Sequence, residues 1–343
     1  MKVLIIANAR WHPGMSGSDI IYINFKKYWP CETDVWEMLN IDFKPFAVCY
    51  IWRIVLGVLR ALTCRERYDF IYSASDFWMD SLPAFIMKLK GMKWVAGFYL
   101  YAPRCKTIYY FLQRVIYRLI IWFADIVCIT NGSMVYGFKK KKTIEVNGGV
   151  DLVLAGDGDY PRKYDAVFCG RIHPSKGIDE LIQIWKVVRG MKPDATLALI
   201  GDYDLGLDYI KKQIPSDNNL GITLFGYLGD ERFGIYKSSK VVLYPATWDH
   251  FSMSPVEAMA CGCPMVAFDL PVMKYIKPEG CYLAKNINDF AYNILNIIKY
   301  CNAKEEVYFA DKKAAIRWAN TWDWKVTTKH VWDEISRQLE NAL

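Results

Sequence analysis

Short, continuous apolar runs recur along this chain and alternate with longer stretches of helical periodicity. Continuous runs are typical of parallel β-strands that are covered by helices on both faces, because a half-exposed strand alternates apolar and polar residues. The pattern therefore predicts an α/β fold of the doubly wound type. The predicted strands are residues 3–7, 70–73, 94–98, 126–130, 165–169, 196–201, 222–225, 241–244 and 264–268.

The strand–helix order stops near Thr130 and restarts at Asp165. A basic run, a turn-rich segment and a loop with Gly, Asp and Pro lie between them, at residues 139–142, 147–151 and 155–163. Such an interruption marks a domain boundary, and 343 residues suffice for two domains. We predict a Rossmann-like domain over residues 1–152, a second one over 153–320, and a C-terminal helical segment over 321–343.

The ten cysteines are scattered along the chain, and only Cys261 and Cys263 lie close together, without a C-x-x-C pair. The four histidines show no metal-ligand spacing. These counts predict reduced thiols, a cytoplasmic protein, no protein-built metal site and no cofactor. The apolar start is too short for a signal peptide. The chain has no run of about 18 uncharged apolar residues, so we predict no membrane-spanning helix.

Two cations follow the predicted strand at residues 165–169. Arg171 and Lys176 can converge on the carboxyl edge of the sheet, where open α/β sheets bind ligands. They suit a diphosphate, because Arg offers forked hydrogen bonds and Lys a point charge, while Gly170 and Gly177 permit a tight backbone. The same segment also fits a plain strand–loop–helix turn with solvated charges.

A second segment, residues 241–264, reads as strand, loop, helix, glycine stop and strand. Ser254 is predicted to cap the helix. The helix start would direct backbone N–H groups at phosphate oxygens, from Ser252, Met253 and Ser254. Glu257 in the first turn can accept hydrogen bonds from a ribose diol, or it can serve only to compensate the helix dipole.

Together these segments resemble the signature of the family-four retaining glycosyltransferases, the glycosyl transferases group 1, which have the GT-B fold. In that family an acidic residue and seven intervening residues precede a Glu that opens E-A-M/L-A-x-G-x-P. Here Glu257 opens E-A-M-A-C-G-C-P, and Asp249 stands where the family usually has Glu. The G-R-x-x-x-x-K-G pattern at residues 170–177 resembles its diphosphate-binding element, and the spacing of the elements matches over residues 145–270.

The resemblance implies two doubly wound Rossmann-like domains that face a central cleft, with a C-terminal helix crossing back to the N-terminal domain. It implies retaining, metal-independent transfer from a UDP-, GDP- or ADP-sugar to a lipid-linked or glycan acceptor, in assembly of cell-surface polysaccharide, glycolipid or glycoprotein glycans. Arg171 and Lys176 would neutralise the donor diphosphate, Asp249 would hold the transferred sugar and Glu257 the ribose. Tyr227 and Leu228 would lie beside the base.

The N-terminal half departs from the family. Gly14 and Gly17 stand where members often carry Gly-Gly, and they could admit the phosphates and the acceptor or form a plain loop. Tyr99 occupies the position where many members have a His that contacts the donor sugar, with Phe98 or Tyr101 as alternatives in a shifted register.

Asp76 could be a carboxylate on the acceptor side, although Asp76 or Asp80 could instead cap the helix that follows. The departures leave open a non-catalytic GT-B subunit that binds nucleotide. An epimerase acting on the nucleotide-sugar fits the spacing less well.

Charge is unevenly distributed, since residues 1–150 carry 20 Lys+Arg and 11 Asp+Glu, a net +9, and the remainder of the chain carries a net −2. The helix-like segments 46–64 and 107–123 are rich in aromatic and apolar residues. Periodicity places Arg53 with Arg60, and Arg114 with Arg118, on shared helix faces. We predict peripheral binding to an anionic membrane, at its inner face, and no nucleic-acid partner. Helices that merely pack against a sheet can have the same composition.

Overall fold

The computed structural model describes residues 1–10, 17–39, 41, 44–99, 101, 108–130, 132–156, 160–201, 206–213, 220–249 and 252–340. These fall into two compact units. One consists of Met1–Gly148 together with Trp324–Leu343, and the other of Gly149–Asp323.

The first unit alternates strands and helices from its first residues onward. Its elements up to residue 148 are β1 (Lys2–Ala7), α1 (Gly17–Tyr28), β2 (Glu32–Glu37), α2 (Phe46–Thr63), β3 (Phe70–Ser73), α3 (Trp78–Leu89), β4 (Lys93–Phe98), α4 (Ile108–Phe123), β5 (Ile126–Ile129), a 3-10 helix (Gly132–Phe138) and β6 (Lys142–Glu145). The strands form one parallel sheet in the order β2-β1-β3-β4-β5-β6.

The second unit repeats the alternation. Its elements are α5 (Leu152–Ala155), β7 (Tyr164–Cys169), a 3-10 helix (Pro174–Lys176), α6 (Ile178–Met191), β8 (Leu197–Ile200), α7 (Gly206–Gln213), β9 (Ile222–Gly226), α8 (Arg232–Lys237), β10 (Ser239–Tyr244), α9 (Met253–Ala260), β11 (Met265–Phe268), α10 (Met273–Ile276), β12 (Cys281–Ala284), α11 (Ile287–Asn302) and α12 (Glu306–Asn320). The parallel sheet has the order β12-β11-β10-β7-β8-β9. The chain then ends in α13 (Trp324–Glu340).

The last helix, α13, packs in the first unit rather than the second. It lies against α1, where the ring of Trp332 is 5.5 Å from Trp29 and 6.1 Å from Phe70. Lys142 Nζ, on the edge strand β6, donates to the carbonyl of Gln338 at 2.9 Å. The predicted doubly wound fold with a returning C-terminal helix is therefore confirmed.

All nine predicted strands are present. The prediction missed three strands, β2, β6 and β12, and each of them lies at the edge of its sheet. Polar and charged residues interrupt the apolar ones in β2 and β6, so these two strands lack the continuous apolar run by which the others were identified. The prediction missed β12 although its four residues, C-Y-L-A, are apolar.

The expectation that no helix could span a membrane is corrected by α2. This helix of 18 residues has a mean hydropathy of 1.6 and is only 22% buried, so it is long and apolar enough by length and composition. The prediction required about 18 uncharged residues, and this helix contains Arg53 and Arg60. In the structure Arg53 is fully buried inside the first unit, whereas Arg60 stacks on the ring of Trp36 at 4.5 Å. The two arginines therefore do not share an exposed face.

Candidate functional site: the carboxyl edge of the second sheet

The strand order of the second sheet reverses between β7 and β10, which are neighbours although β8 and β9 lie between them in sequence. Loops at the carboxyl ends of strands form the binding crevice at such a point in open α/β sheets. Here those loops contain Gly170–Gly177 after β7 and the segment from Pro245 to Asp249 after β10.

Gly177 brings the two loops together. Its φ of +71° is left-handed, and a Cβ at this position would lie 1.8 Å from the carbonyl oxygen of Pro245. The backbone N–H of Thr247 also donates to the Ser175 carbonyl at 3.2 Å. Only glycine permits this approach, so the predicted tight turn has a specific partner.

Lys176 and Asp249 meet across this contact. Lys176 Nζ donates to Asp249 Oδ2, and the Tyr244 hydroxyl donates to the same oxygen at 2.8 Å. Both charged side chains are 14% exposed. Burial and the Asp249 carboxylate raise the pKa of Tyr244 well above its ordinary value, so this hydroxyl stays a donor. The structure thus unites two predicted residues, while Arg171 lies exposed at the start of the first loop, after Gly170.

Helix α9 begins one residue after Ser252, which corrects the prediction that Ser254 is the cap. Ser252 has the extended backbone of an N-cap but makes no side-chain capping hydrogen bond. The first-turn N–H groups come from Met253 and Ser254, because Pro255, the third residue, has none.

Glu257 is 8% exposed and is bound by a residue that sequence reasoning missed. Arg232 Nε donates to Glu257 Oε2 at 2.8 Å, and its Nη2 donates to Oε1 at 2.7 Å. The Tyr236 hydroxyl donates to Oε2 at 3.3 Å. Burial opposes the charged form of Arg232, but the hydrogen bonds and charge of Glu257 raise its pKa above the ordinary value. Arg232 belongs to no phosphate motif, so nothing in the sequence signals this pair.

The loop after β9 lies beside this network. Arg232 Nη1 donates to the Gly229 carbonyl at 2.7 Å, which ties the loop to Glu257. The ring of Tyr227 is 52% exposed, and Leu228 packs partly against the core of the second unit. Their predicted place beside a nucleotide base is compatible with this position and stays a prediction.

The residues of the first unit that were predicted to contact the donor or the acceptor do not form a comparable cluster among the described residues. Gly14 lies outside the described residues, and Gly17 is the exposed first residue of α1. The Tyr99 hydroxyl contacts the hydroxyl of Tyr72, and burial raises the pKa of both tyrosines. Of the alternatives in a shifted register, Phe98 is fully buried, and Tyr101 lies 5.1 Å from its ring.

Neither acidic residue after β3 caps α3, whose N-cap is Phe77 without a side-chain hydrogen bond. Asp76 accepts a hydrogen bond from Gln113 at 2.7 Å, and burial raises its pKa to about 6. Asp80 accepts from Ala9 N at 2.9 Å and from Ser75 Oγ at 2.5 Å. Burial raises the pKa of Asp80 to about 8.

Comparison with known proteins finds a family similarity within the second unit. Residues 163–300 match the model of the glycosyl transferases group 1. A lipopolysaccharide 1,2-N-acetylglucosaminetransferase of Salmonella typhimurium is 25% identical over 190 residues, which are 52% of this chain and 47% of that protein. The chain spans less than half of the length of the first curated relatives it matches.

Solved structures match over the whole chain. Sucrose-phosphate synthase from Thermosynechococcus elongatus has a TM-score of 0.77 at 16% identity, and the match covers 100% of both chains. Anabaena HepE in complex with UDP and glucose has a TM-score of 0.72 at 18% identity, covering 98% of this chain and 100% of HepE. The chain therefore has the GT-B fold, and its residues 163–300 are similar to the glycosyl transferases group 1.

Proposed function

We propose that this chain is a retaining glycosyltransferase that moves a sugar from a nucleotide-diphosphate-sugar to a lipid-linked or glycan acceptor. The observation that carries the proposal is the meeting of Lys176 and Asp249 at the strand-order reversal of the second sheet. A family signature and the binding position of an α/β sheet coincide there. UDP is the first nucleotide to test, since HepE binds it, and GDP and ADP are the alternatives.

Lys176 would exchange partners when a donor binds. In the structure its ammonium neutralises Asp249, which also accepts from Tyr244. An arriving diphosphate carries more negative charge than one carboxylate and would compete for Lys176. Asp249, still held by Tyr244, would then accept hydrogen bonds from hydroxyls of the transferred sugar. Arg171 and the N–H groups at the start of α9 would share the phosphate charge.

The same groups would assist bond cleavage. When the bond between the anomeric carbon and the phosphate oxygen breaks, negative charge grows on the leaving diphosphate. Fixed cations and helix N–H groups stabilise this charge more strongly than they stabilise the intact donor, which lowers the barrier. We propose that these groups take the place of a metal ion. Glu257 would meanwhile bind the ribose.

We further propose that the acceptor is lipid-linked and that the protein acts peripherally at the inner face of a membrane. Two observations support this: the net charge of +9 on residues 1–150, and the similarity to a transferase named for lipopolysaccharide. A cationic surface attracts anionic headgroups within roughly one Debye length.

The test is turnover by the purified protein. A thermal-shift screen with UDP, GDP and ADP identifies the nucleotide, because a ligand that binds only the folded state raises its stability. We then expect sugar release from the matching donors, with a large loss of kcat in Lys176→Ala and Glu257→Ala. The configuration of the product's anomeric carbon, read by NMR, tests retention. Normal turnover in both variants would refute the assignment of the site.

One observation favours a second candidate, a non-catalytic subunit that binds nucleotide. Tyr99 stands where family members often carry a sugar-contacting His, and its hydroxyl is turned toward Tyr72. Such a protein would bind nucleoside diphosphate but neither hydrolyse nor transfer the sugar. Any turnover by the pure chain that is lost in Lys176→Ala excludes this candidate.

A further inference from the structure

Helix α2 reverses the usual arrangement of a surface helix. Its buried positions recur every four residues and carry small or polar side chains, namely Cys49, Arg53, Gly57 and Ala61. Its exposed positions carry the large apolar side chains, namely Phe46, Val48, Ile51, Trp52, Val55, Leu59 and Leu62. A helix of a water-soluble protein normally directs such side chains to the core. We call these seven exposed side chains the α2 face.

Helix α4 adds a second exposed apolar row. Phe111, Leu112, Val115, Trp122 and Phe123 are exposed, and Arg114 and Arg118 are exposed between them. Both α2 and α4 pack against α3, so the three helices lie on the same side of the sheet. Neither helix contains an Asp or a Glu. Exposed apolar and aromatic side chains interspersed only with arginines match the headgroup and acyl boundary of an anionic bilayer.

The anchoring of Arg53 fixes how α2 can meet a bilayer. Its guanidinium donates to the carbonyls of Ile41 at 2.9 Å, Asn8 at 2.9 Å and Arg10 at 2.7 Å, all within the first unit. A Cβ on Gly57 would lie 2.8 Å from Pro83 of α3, so the helices are in close contact. To span a bilayer, α2 would have to leave these partners and expose a charged group to hydrocarbon.

We propose that the α2 face, with the exposed row of α4, is a monolayer-docking surface on which α2 lies parallel to an anionic bilayer. The large apolar side chains insert among the acyl chains, and Arg114 and Arg118 bind headgroup phosphates. The surface does not depend on the proposed sugar transfer, since none of its residues belongs to the nucleotide site.

The test uses the full chain and vesicles of phosphatidylcholine with or without phosphatidylglycerol. We expect co-sedimentation with the anionic vesicles and at least an approximately tenfold lower partition coefficient for Ile51→Ser/Leu59→Ser, because two large side chains lose their burial. Val326→Ser, on the exposed side of α13, is the matched control and should bind normally. Alkaline carbonate should release the bound protein, and UDP binding should be unchanged in all variants.

Three results would overturn the proposal. Equal vesicle binding by Ile51→Ser/Leu59→Ser would show that another surface docks. Resistance to alkaline carbonate would show that α2 crosses the bilayer. A dimer in sedimentation equilibrium that the double variant abolishes, without vesicle binding by the unchanged protein, would assign the α2 face to a second copy of the chain.

A second, independent observation concerns the acceptor capacity of Glu257. A carboxylate offers about four lone-pair positions. Arg232 occupies one on each oxygen, and the Tyr236 hydroxyl occupies another on Oε2. One position is left, on Oε1. In this arrangement Glu257 can accept a hydrogen bond from only one of the two hydroxyls of a ribose.

We infer that Arg232 is a positioning residue that fixes Glu257 so that a single ribose hydroxyl is recognised. Its third hydrogen bond, to the Gly229 carbonyl, holds the loop after β9 at a set distance from the carboxylate. This inference rests on the proposed nucleotide binding and makes that binding more specific.

Deoxy nucleotides provide the test. For the unchanged protein we expect one of 2′-deoxy-UDP and 3′-deoxy-UDP to bind at least about tenfold more weakly than the other, as measured by calorimetry. In Arg232→Ala the freed carboxylate can accept from either hydroxyl, and the difference should fall to within about twofold. Arg232→Lys should also lose the difference, because an ammonium cannot replace the two-pronged contact.

The outcomes separate this inference from the proposed function. UDP binding with equal affinity for both deoxy analogues by the unchanged protein would overturn the inference alone. So would a difference that persists in a folded Arg232→Ala protein. Failure of the unchanged protein to bind any of UDP, GDP and ADP would refute the proposed function as well.

Discussion

The side chain of Lys176 has two competing partners in the proposed function, the Asp249 carboxylate and the donor diphosphate. Replacing it by Met removes the cation and leaves a carboxylate near the diphosphate that Lys176 no longer neutralises, so we expect UDP to bind about ten- to a hundredfold more weakly. Lys176→Met/Asp249→Asn should recover part of this affinity, because the repulsive carboxylate is gone. Calorimetry of UDP binding by the two single variants and the double variant measures this double-mutant cycle. Lys186→Met is the control, because Lys186 is an exposed lysine of α6. Strictly additive effects would contradict the pairing.

Asp80 makes the folding stability of the first unit depend on pH. Burial raises its folded pKa to about 8, whereas an unfolded Asp titrates near pH 4. Between these values the folded state holds a proton that the unfolded state has lost, so stability falls as pH rises. We expect Tm to fall up to about pH 8. Asp80→Asn should abolish the decrease in Tm above about pH 6, because Asp76 has already lost its proton there. Calorimetric scans measure this, with Asp208→Asn, an exposed carboxylate, as the control.

At the scale of elements, the loop between β7 and α6 depends on one glycine. Gly177→Ala would place a Cβ 1.8 Å from the Pro245 carbonyl at a left-handed φ. We expect a loss of about 1–3 kcal/mol in unfolding free energy and weaker UDP binding, because the loops after β7 and β10 must separate. Gly190→Ala in α6 meets nothing within 4 Å and should be more stable by roughly 0.5–1 kcal/mol. Urea unfolding compares the two, and equal stability would contradict this role of Gly177.

The sequence predicted the central strands and the loops of the site, because continuous apolar runs and glycine-flanked cations are local patterns. It could not predict β2 and β6, since their polar and charged residues resemble a loop in composition, and it missed β12 although that strand is apolar. Arg232 was missed because its partnership with Glu257 spans 25 residues and depends on how α8 packs beside α9. Periodicity placed Arg53 with Arg60 on one face but could not show that Arg53 is buried by carbonyls from two other segments.

For the whole molecule, the division of charge follows the division of proposed tasks. The half with a net +9 contains the α2 face and the exposed arginines of α4. The half with a net −2 contains the proposed nucleotide site, where a few placed cations suffice because they act at short range in a partly buried site. General attraction to an anionic surface and specific recognition of a diphosphate are thereby assigned to different units of one chain.

This division predicts two separate footprints in hydrogen exchange. UDP should slow exchange in the loop from Gly170 to Gly177, in α8 and at the start of α9, because its contacts suppress local opening there. Anionic vesicles should instead slow exchange in α2 and α4. Ile51→Ser/Leu59→Ser should lose only the vesicle footprint, and Lys176→Met should weaken only the UDP footprint. Protection of α2 by UDP alone, or of α8 and α9 by vesicles alone, would contradict the assignment of the two tasks to separate surfaces.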